Sequence, residues 1–236
     1  PIYIVNFICA FIFVSSIFLF AFQQNKPCIV IFVALPYIIN VLAMGYTRQS
    51  VAYAFLIFSI IALKKNKNLF FILLIIIGSL FHKSLILFSI LYFVNLRFNF
   101  RAILMMILLF LILILLLIYK LDTIQFYYYY YIGEGQHSES TGTIFRYLIN
   151  LIPCLLIIYF GTDFLNSKSE KKLVMLFSLF TICGLFLFQL APTAFDRIGL
   201  YLTLIQLYVY SNLDIIIKNL LIRRFVYFFV YSLYFI

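Results

Sequence analysis

Residues 69–95 read LFFILLIIIGSLFHKSLILFSILYFVN, and the way this stretch meets a bilayer decides the fold. Its apolar halves, 69–81 and 84–95, are each shorter than the roughly 20 residues of a straight helical span. The stretch is therefore one long helix with a cation stranded in mid-membrane, or a helical hairpin with His82 and Lys83 at its tip. Lys and Arg near span ends collect on the cytoplasmic side, which separates the two readings. As a hairpin, alternation of the segments puts Lys26, Lys64, Lys65, Lys67, Arg97, Arg101, Lys168, Lys171, Lys172, Lys218, Arg223 and Arg224 inside, twelve of the seventeen Lys and Arg. As a single span everything downstream flips, leaving seven inside, nine outside and Lys83 between. The hairpin obeys the rule and the single span does not. Its tip lies at membrane depth, where a helix break is tolerated only if buried in protein or lining a watery cavity.

The rest of the chain has the same character. It is 67% hydrophobic and 10% charged, whereas a soluble domain is about half apolar and a quarter charged. Apolar runs lie at about 2–22, 28–44, 50–63, 69–81, 84–95, 102–119, 144–160, 173–190, 198–217 and 225–236. None shows the period-2 alternation of a transmembrane barrel. The expectation is an all-α, polytopic integral membrane helix bundle of about ten apolar segments, including the short hairpin at 69–95. It forms a single transmembrane domain over 1–236, with one long outer-face loop at 120–143. The net charge of +10 would suggest nucleic acid in a soluble chain; here it is topological signal, and no nucleic acid is expected. A start at Pro1 and a stop inside an apolar run read as a fragment of a longer chain. The excess of Ile, Phe, Tyr, Asn and Lys points to an AT-rich bacterial genome. Cys9, Cys28, Cys154 and Cys183 are far apart and form no ligand spacing, so they read as small apolar fillers, with no disulfide, metal or cofactor called for.

Five cations remain at or just inside the outer face: Arg48, Lys83, Lys120, Arg146 and Arg197. Cations held there need a reason, and a bound anion is a good one. Arg48 opens the segment that ends at Lys64, a position where free N–H groups and the helix dipole favour an anion. The bland alternative is an interfacial Arg that snorkels to headgroups. Arg146 and Asn150 share one helical face, with Tyr147 beside them. Asp196 and Arg197 follow Pro192, and Arg197 and Tyr201 are i and i+4. A local ion pair that neutralises Asp196 and Arg197 is the plain alternative there.

The loop 120–143 carries Phe126, the run Tyr127–Tyr131, and Glu134, His137 and Glu139. Aromatic faces and carboxylates suit a glycan platform; an aromatic belt at the lipid interface is the equal alternative. The spacing of Glu134, His137 and Glu139 matches no metal motif.

Met44-Gly45-Tyr46-Thr47-Arg48-Gln49-Ser50-Val51-Ala52, a Lys-rich turn, and then Phe81-His82-Lys83-Ser84-Leu85-Ile86 form one ordered pattern. It resembles the Arg-Gln-x-x-Ala and Phe-His-x-Ser arrangement of EpsG-like and Wzy-type polysaccharide polymerases. Asp196-Arg197-x-x-x-Tyr201 is similar to that family's C-terminal Arg-x-x-x-Tyr element. The likeness is good over about 36–96 and looser elsewhere, and it implies that the family's first spans are missing here.

The resemblance implies repeat-unit polymerisation at the outer face of a bacterial inner membrane, yielding O-antigen, capsule or exopolysaccharide. A glycan on undecaprenyl pyrophosphate passes to a sugar hydroxyl of a new lipid-linked repeat unit. The implied partners are that lipid-linked glycan, the bilayer and a chain-length regulator. Arg48, Arg146, Arg197 and Lys83 are assigned to the pyrophosphate, since Arg is the usual bidentate phosphate partner. His82 is the first choice of base, with Asp196 or Glu139 as its replacement. Gln49, Glu134, Glu139 and Tyr201 are assigned to glycan. Two other classes stay open: a membrane O-acyltransferase with His82 as base, and a flippase or transporter of lipid-linked oligosaccharide. The first needs no cluster of outer arginines. The second predicts cations at several depths and internal repeats, and neither is present in the sequence.

Overall fold

The computed structural model describes residues 2–94, 142–165 and 167–233, which are helical throughout apart from short connections, with no strand among them. The loop 120–143 up to residue 141, the apolar run 102–119, and Arg97, Arg101, Lys120, Glu134, His137 and Glu139 lie outside the described residues. Two of the described helices, Ile2–Ala21 and Gly142–Phe160, are long and apolar enough to cross a membrane by themselves.

The other expected segments are shorter or interrupted, for local reasons. The run 28–44 begins as an α-helix, Pro27–Ala34, and continues as a π-helix, Leu35–Ala43. Pro36 removes a ladder donor at the change, and wide turns of this kind are rare. The run 198–217 is divided into helices Pro192–Leu202, Leu204–Tyr210 and Leu213–Ile216. At its breaks Thr203 donates to Leu200 O (2.7 Å), Ser211 to Leu207 O (2.6 Å) and Asn212 to Tyr208 O (2.8 Å), offering the backbone carbonyls other partners. Helix Thr47–Lys64 ends at a turn in which Asn66 has φ 56°, after which helix Asn68–Phe81 begins. Helix Gly142–Phe160 stops at Gly161 (φ 75°), a conformation that costs glycine little. Helix Lys168–Leu187 starts on the Ser167 side chain, which accepts from Ser169 N.

Residues 69–95 do fold back on themselves. Helix Asn68–Phe81 is followed by a 3-10 helix, Lys83–Val94, with extended backbone at His82. The rings of Phe71 and Tyr92, near the two free ends of the arms, lie 6.4 Å apart. One straight helix would separate them by about 30 Å at 1.5 Å per residue. The buried residues of the 3-10 arm are Leu85, Phe88, Leu91 and Val94, every third residue, as a three-residue turn requires.

The helices have two distinct ends. At one end Lys26 pairs with Asp214 (2.5 Å) and Lys64 with Glu170 (2.5 Å). There too Lys172 donates to Val94 O (3.1 Å) and Asn25 to Asn212 (3.3 Å). The breaks near 26, 64, 94, 170 and 214 thus gather at one end. The eighteen residues of helix Thr47–Lys64, about 27 Å of rise, carry the chain to the other end, where Arg48 lies. Buried hydroxyls are largely satisfied inside their own helices: Ser16 to Phe13 O, Ser59 to Leu56 O, Ser178 to Val174 O and Thr181 to Phe177 O. Large apolar side chains are also widely exposed, among them Phe7 (71%), Phe11 (66%), Leu80 (81%), Ile158 (63%) and Phe228 (74%). A surface of that kind is suited to lipid, not water.

Candidate functional site: a cationic cavity at the hairpin tip

Three elements far apart in sequence converge at the second end. Helix Thr47–Lys64 brings Arg48 on its first turn. The hairpin tip brings His82, Lys83 and Ser84. Helix Pro192–Leu202, which Pro192 opens at a position where the missing N–H is harmless, brings Arg197. Together they line one cavity of about 540 Å³ with Leu80, Phe81, Leu87, Thr193, Ala194 and Ile198. Three permanent cations and a histidine face it, and no carboxylate among the described residues lines it. Arg48 and Lys83 are exposed, and neither has an ion-pair partner among the described residues.

Arg197 is held from behind. Gln49 Nε2 donates to the Arg197 carbonyl (2.7 Å), and Arg197 Nη1 reaches Gln49 Oε1 (3.4 Å). Its guanidinium carbon also lies 5.2 Å from the centre of the Tyr46 ring, a cation–π distance. Gln49 is buried and engaged by Arg197.

His82 is set by a small polar triangle. Its Nδ1 lies 2.6 Å from Ser84 Oγ and 3.3 Å from Tyr201 Oη, and Ser84 Oγ donates to Tyr201 Oη (3.4 Å). With Ser84 giving its proton to Tyr201, its oxygen accepts from an Nδ1–H. That assignment leaves Nε2 with the lone pair. The Arg197 guanidinium lines the same cavity, so His82 works beside a permanent cation. Tyr201 is itself fully buried, stacked 6.4 Å from Tyr53 and packed 5.1 Å from Phe88. Only its hydroxyl reaches the tip.

Arg146 and Asp196 are brought together with each other and not into the cavity. Arg146 Nη1 pairs with Asp196 Oδ1, its Nε donates to Tyr37 Oη (2.8 Å) and its Nη2 to Tyr46 Oη (3.0 Å). Thr143 Oγ1 donates to Asp196 Oδ1 (3.3 Å). Both side chains are nearly buried. Arg146 Cζ also lies 5.5 Å from the Tyr46 ring centre, so this ring links the buried arginine to Arg197. Nearby, Asn150 donates to Gly199 O (3.2 Å) and accepts from Gln206 (2.6 Å), which ties the Gly142–Phe160 helix to the one carrying Arg197.

Of the sequence-predicted residues, Arg48, His82, Lys83 and Arg197 share the cavity. Gln49 and Tyr201 stand behind it, Arg146 and Asp196 form their own pair, and Glu134 and Glu139 lie outside the described residues. Ser84 and Tyr46 gain parts that sequence reasoning had not given them, although both stand inside the quoted pattern. Tyr37 gave no signal at all, because its partner Arg146 is 109 residues away.

The model of the EpsG family matches the chain over residues 1–236. No curated protein and no solved structure matches it.

Proposed function

The chain belongs to the EpsG family, membrane proteins of the polysaccharide-polymerase type, and on that premise we propose that it joins lipid-linked oligosaccharide repeat units at the outer face of the inner membrane. The donor is a glycan on undecaprenyl pyrophosphate; the acceptor is a sugar hydroxyl of the next lipid-linked unit. The reading takes the chain as one multi-pass domain of about ten apolar segments, with the cavity end outermost. The single observation that carries it is the convergence of Arg48, His82, Lys83 and Arg197 on one cavity that no carboxylate among the described residues lines.

The chemistry follows from these side chains. Arg48, Arg197 and Lys83 hold the two phosphates, the arginines through forked hydrogen bonds and the lysine as a point charge. The acceptor oxygen attacks the anomeric carbon of the donor while the bond from that carbon to the pyrophosphate oxygen breaks. His82 Nε2 takes the hydroxyl proton, and the electron pair leaves on the pyrophosphate. Negative charge grows there as the bond breaks, so fixed cations stabilise the transition state more than the ground state. Ser84 and Tyr201 act through His82 by holding its tautomer. Arg146 and Asp196 act as a brace that fixes Tyr46 beneath Arg197.

The test is the length ladder of surface polysaccharide in a strain lacking its own polymerase. Arg48→Lys and Arg197→Lys should give single repeat units at normal membrane levels of protein, because charge without the fork is insufficient. His82→Ala should do the same, as positioned proton transfer is worth roughly two to four orders of magnitude. Lys65→Gln, at the other end, should give a full ladder. Full ladders from both Arg→Lys variants would remove the pyrophosphate clamp.

A further inference from the structure

A second cavity, of about 300 Å³, adjoins the cationic one. Leu87 and Ile198 line both. Beyond them its walls are apolar: Phe88 and Ile90 from the 3-10 arm, and Phe180, Gly184 and Leu187 from the facing helix. Its two polar-capable members, Tyr147 and Cys183, do not make it a polar site. The Tyr147 hydroxyl is spent on Phe195 O (3.1 Å), leaving its ring as wall.

The two cavities share one rail. In a three-residue turn Ser84, Leu87 and Ile90 lie above one another, so a single face of the 3-10 arm passes from the cationic cavity to the apolar one. The distance from Ser84 to Ile90 along it is about 12 Å. Helix Pro192–Leu202 supplies the opposite rail through Arg197 and Ile198. The trough is open at its side, where Leu87 (56%), Ile90 (45%) and Leu187 (43%) are exposed. On a lipid-facing surface, an opening there admits a chain laterally from the bilayer.

The depth of the trough depends on one glycine. A Cβ on Gly184 would collide with the ring of Tyr147, so any larger residue would drive that ring out of its place in the wall. A polar head site and an apolar slot sharing two residues fit one amphiphile, with an anionic head and a flexible hydrocarbon next to it.

Resting on the reading that the cationic cavity holds a pyrophosphate, we infer that the adjoining slot binds the head-proximal part of the polyisoprenyl chain esterified to it. The protein thereby recognises the lipid as well as the phosphates. Burying that chain on side chains adds affinity in proportion to apolar area. It also aims the phosphate–sugar bond, because the chain leaves the head along a fixed rail.

The experiment uses the full chain in nanodiscs and two probes, inorganic pyrophosphate and farnesyl diphosphate. The wild-type protein should bind farnesyl diphosphate tighter than pyrophosphate by about tenfold or more. Cys183→Trp and Ile90→Trp fill the slot without touching the cationic lining. Each should bring farnesyl diphosphate down to the pyrophosphate level and leave pyrophosphate binding unchanged, which also shows that the variant is folded. A maleimide placed on the exposed Cys183 of the folded protein, in a Cys9→Ala, Cys28→Ser background, should act in the same way and does not depend on refolding a mutant. Equal binding of the two probes by wild type, or undiminished farnesyl diphosphate binding after the slot is blocked, would overturn the slot and leave the chain to bilayer lipid. Arg48→Lys should weaken both probes. If it weakens neither, the pyrophosphate reading fails instead, and the two failures are told apart.

Discussion

Replacing Asp196 by Asn separates a brace from a base. Asp196 and Arg146 have side chains only 8% and 10% exposed, and they pair directly. The substitution keeps the size and removes the charge. It leaves the Arg146 cation buried, with two tyrosine hydroxyls for acceptors and no counter-ion. Breaking a buried pair from one side costs about 3–5 kcal/mol. At roughly 2–4 °C per kcal/mol for a protein of this size, melting should fall by on the order of 10 °C. The double variant Asp196→Leu, Arg146→Met removes both charges and fills the space, so it should recover most of that loss or exceed wild type. Thermal unfolding of the purified protein in detergent measures all three variants, and the polysaccharide ladder is read from the same strains. Polymer should track stability: poor in Asp196→Asn, restored at least in part in the double variant. An Asp196→Asn protein that melts like wild type yet makes only single repeat units would refute the brace, because the carboxylate would then be acting on substrate.

The other tests are direct. Tyr201→Phe keeps the buried ring and removes the hydroxyl that Ser84 and His82 share, so turnover should fall while membrane levels hold; the pH profile should broaden as the imidazole tautomer loosens. His82 acts as a base only when neutral, so activity should fall on acidification, read as the acid limb of the pH–rate profile. In the residual activity of Arg197→Gln the acid limb should move to higher pH, because a positive neighbour that disfavoured protonation is gone. Gly184→Ala should cost about 1–3 kcal/mol of stability through overpacking against Tyr147, read as a lower melting temperature. Reporter fusions after residues 67 and 99 should lie on the same side of the membrane, and cysteines placed at 66 and 170 should resist labelling from outside.

The hairpin was legible because charge is one-dimensional information. Counting Lys and Arg on each side of a turn requires no packing, and the answer agrees with the Phe71–Tyr92 contact. The gathering of Arg48, His82, Lys83 and Arg197 was legible for the same reason, since alternation alone puts their segment ends together. What needed three dimensions was the partner of each charge. A local Asp196–Arg197 pair was the plain alternative to the assigned roles of Asp196 as a replacement base and Arg197 as a phosphate ligand, but neighbours on a helix point about 100° apart and do not face each other. Asp196 turns instead to Arg146, fifty positions away, and so frees Arg197 for the cavity. Hydropathy likewise drew 198–217 as one segment, because it cannot see Thr203, Ser211 and Asn212 bonding to carbonyls of their own helices.

The three-residue winding of Lys83–Val94 also makes that arm a ruler. Twelve residues rise about 24 Å at 2.0 Å each, against about 18 Å for the same residues wound as an α-helix. The partner arm, fourteen α-helical residues, rises about 21 Å. The winding thus turns an arm that would stop about 3 Å short of its partner's length into one that exceeds it by about 3 Å. The elevation of His82 above the rest of the bundle is thus set by the pitch of an apolar arm whose far half never approaches the chemistry.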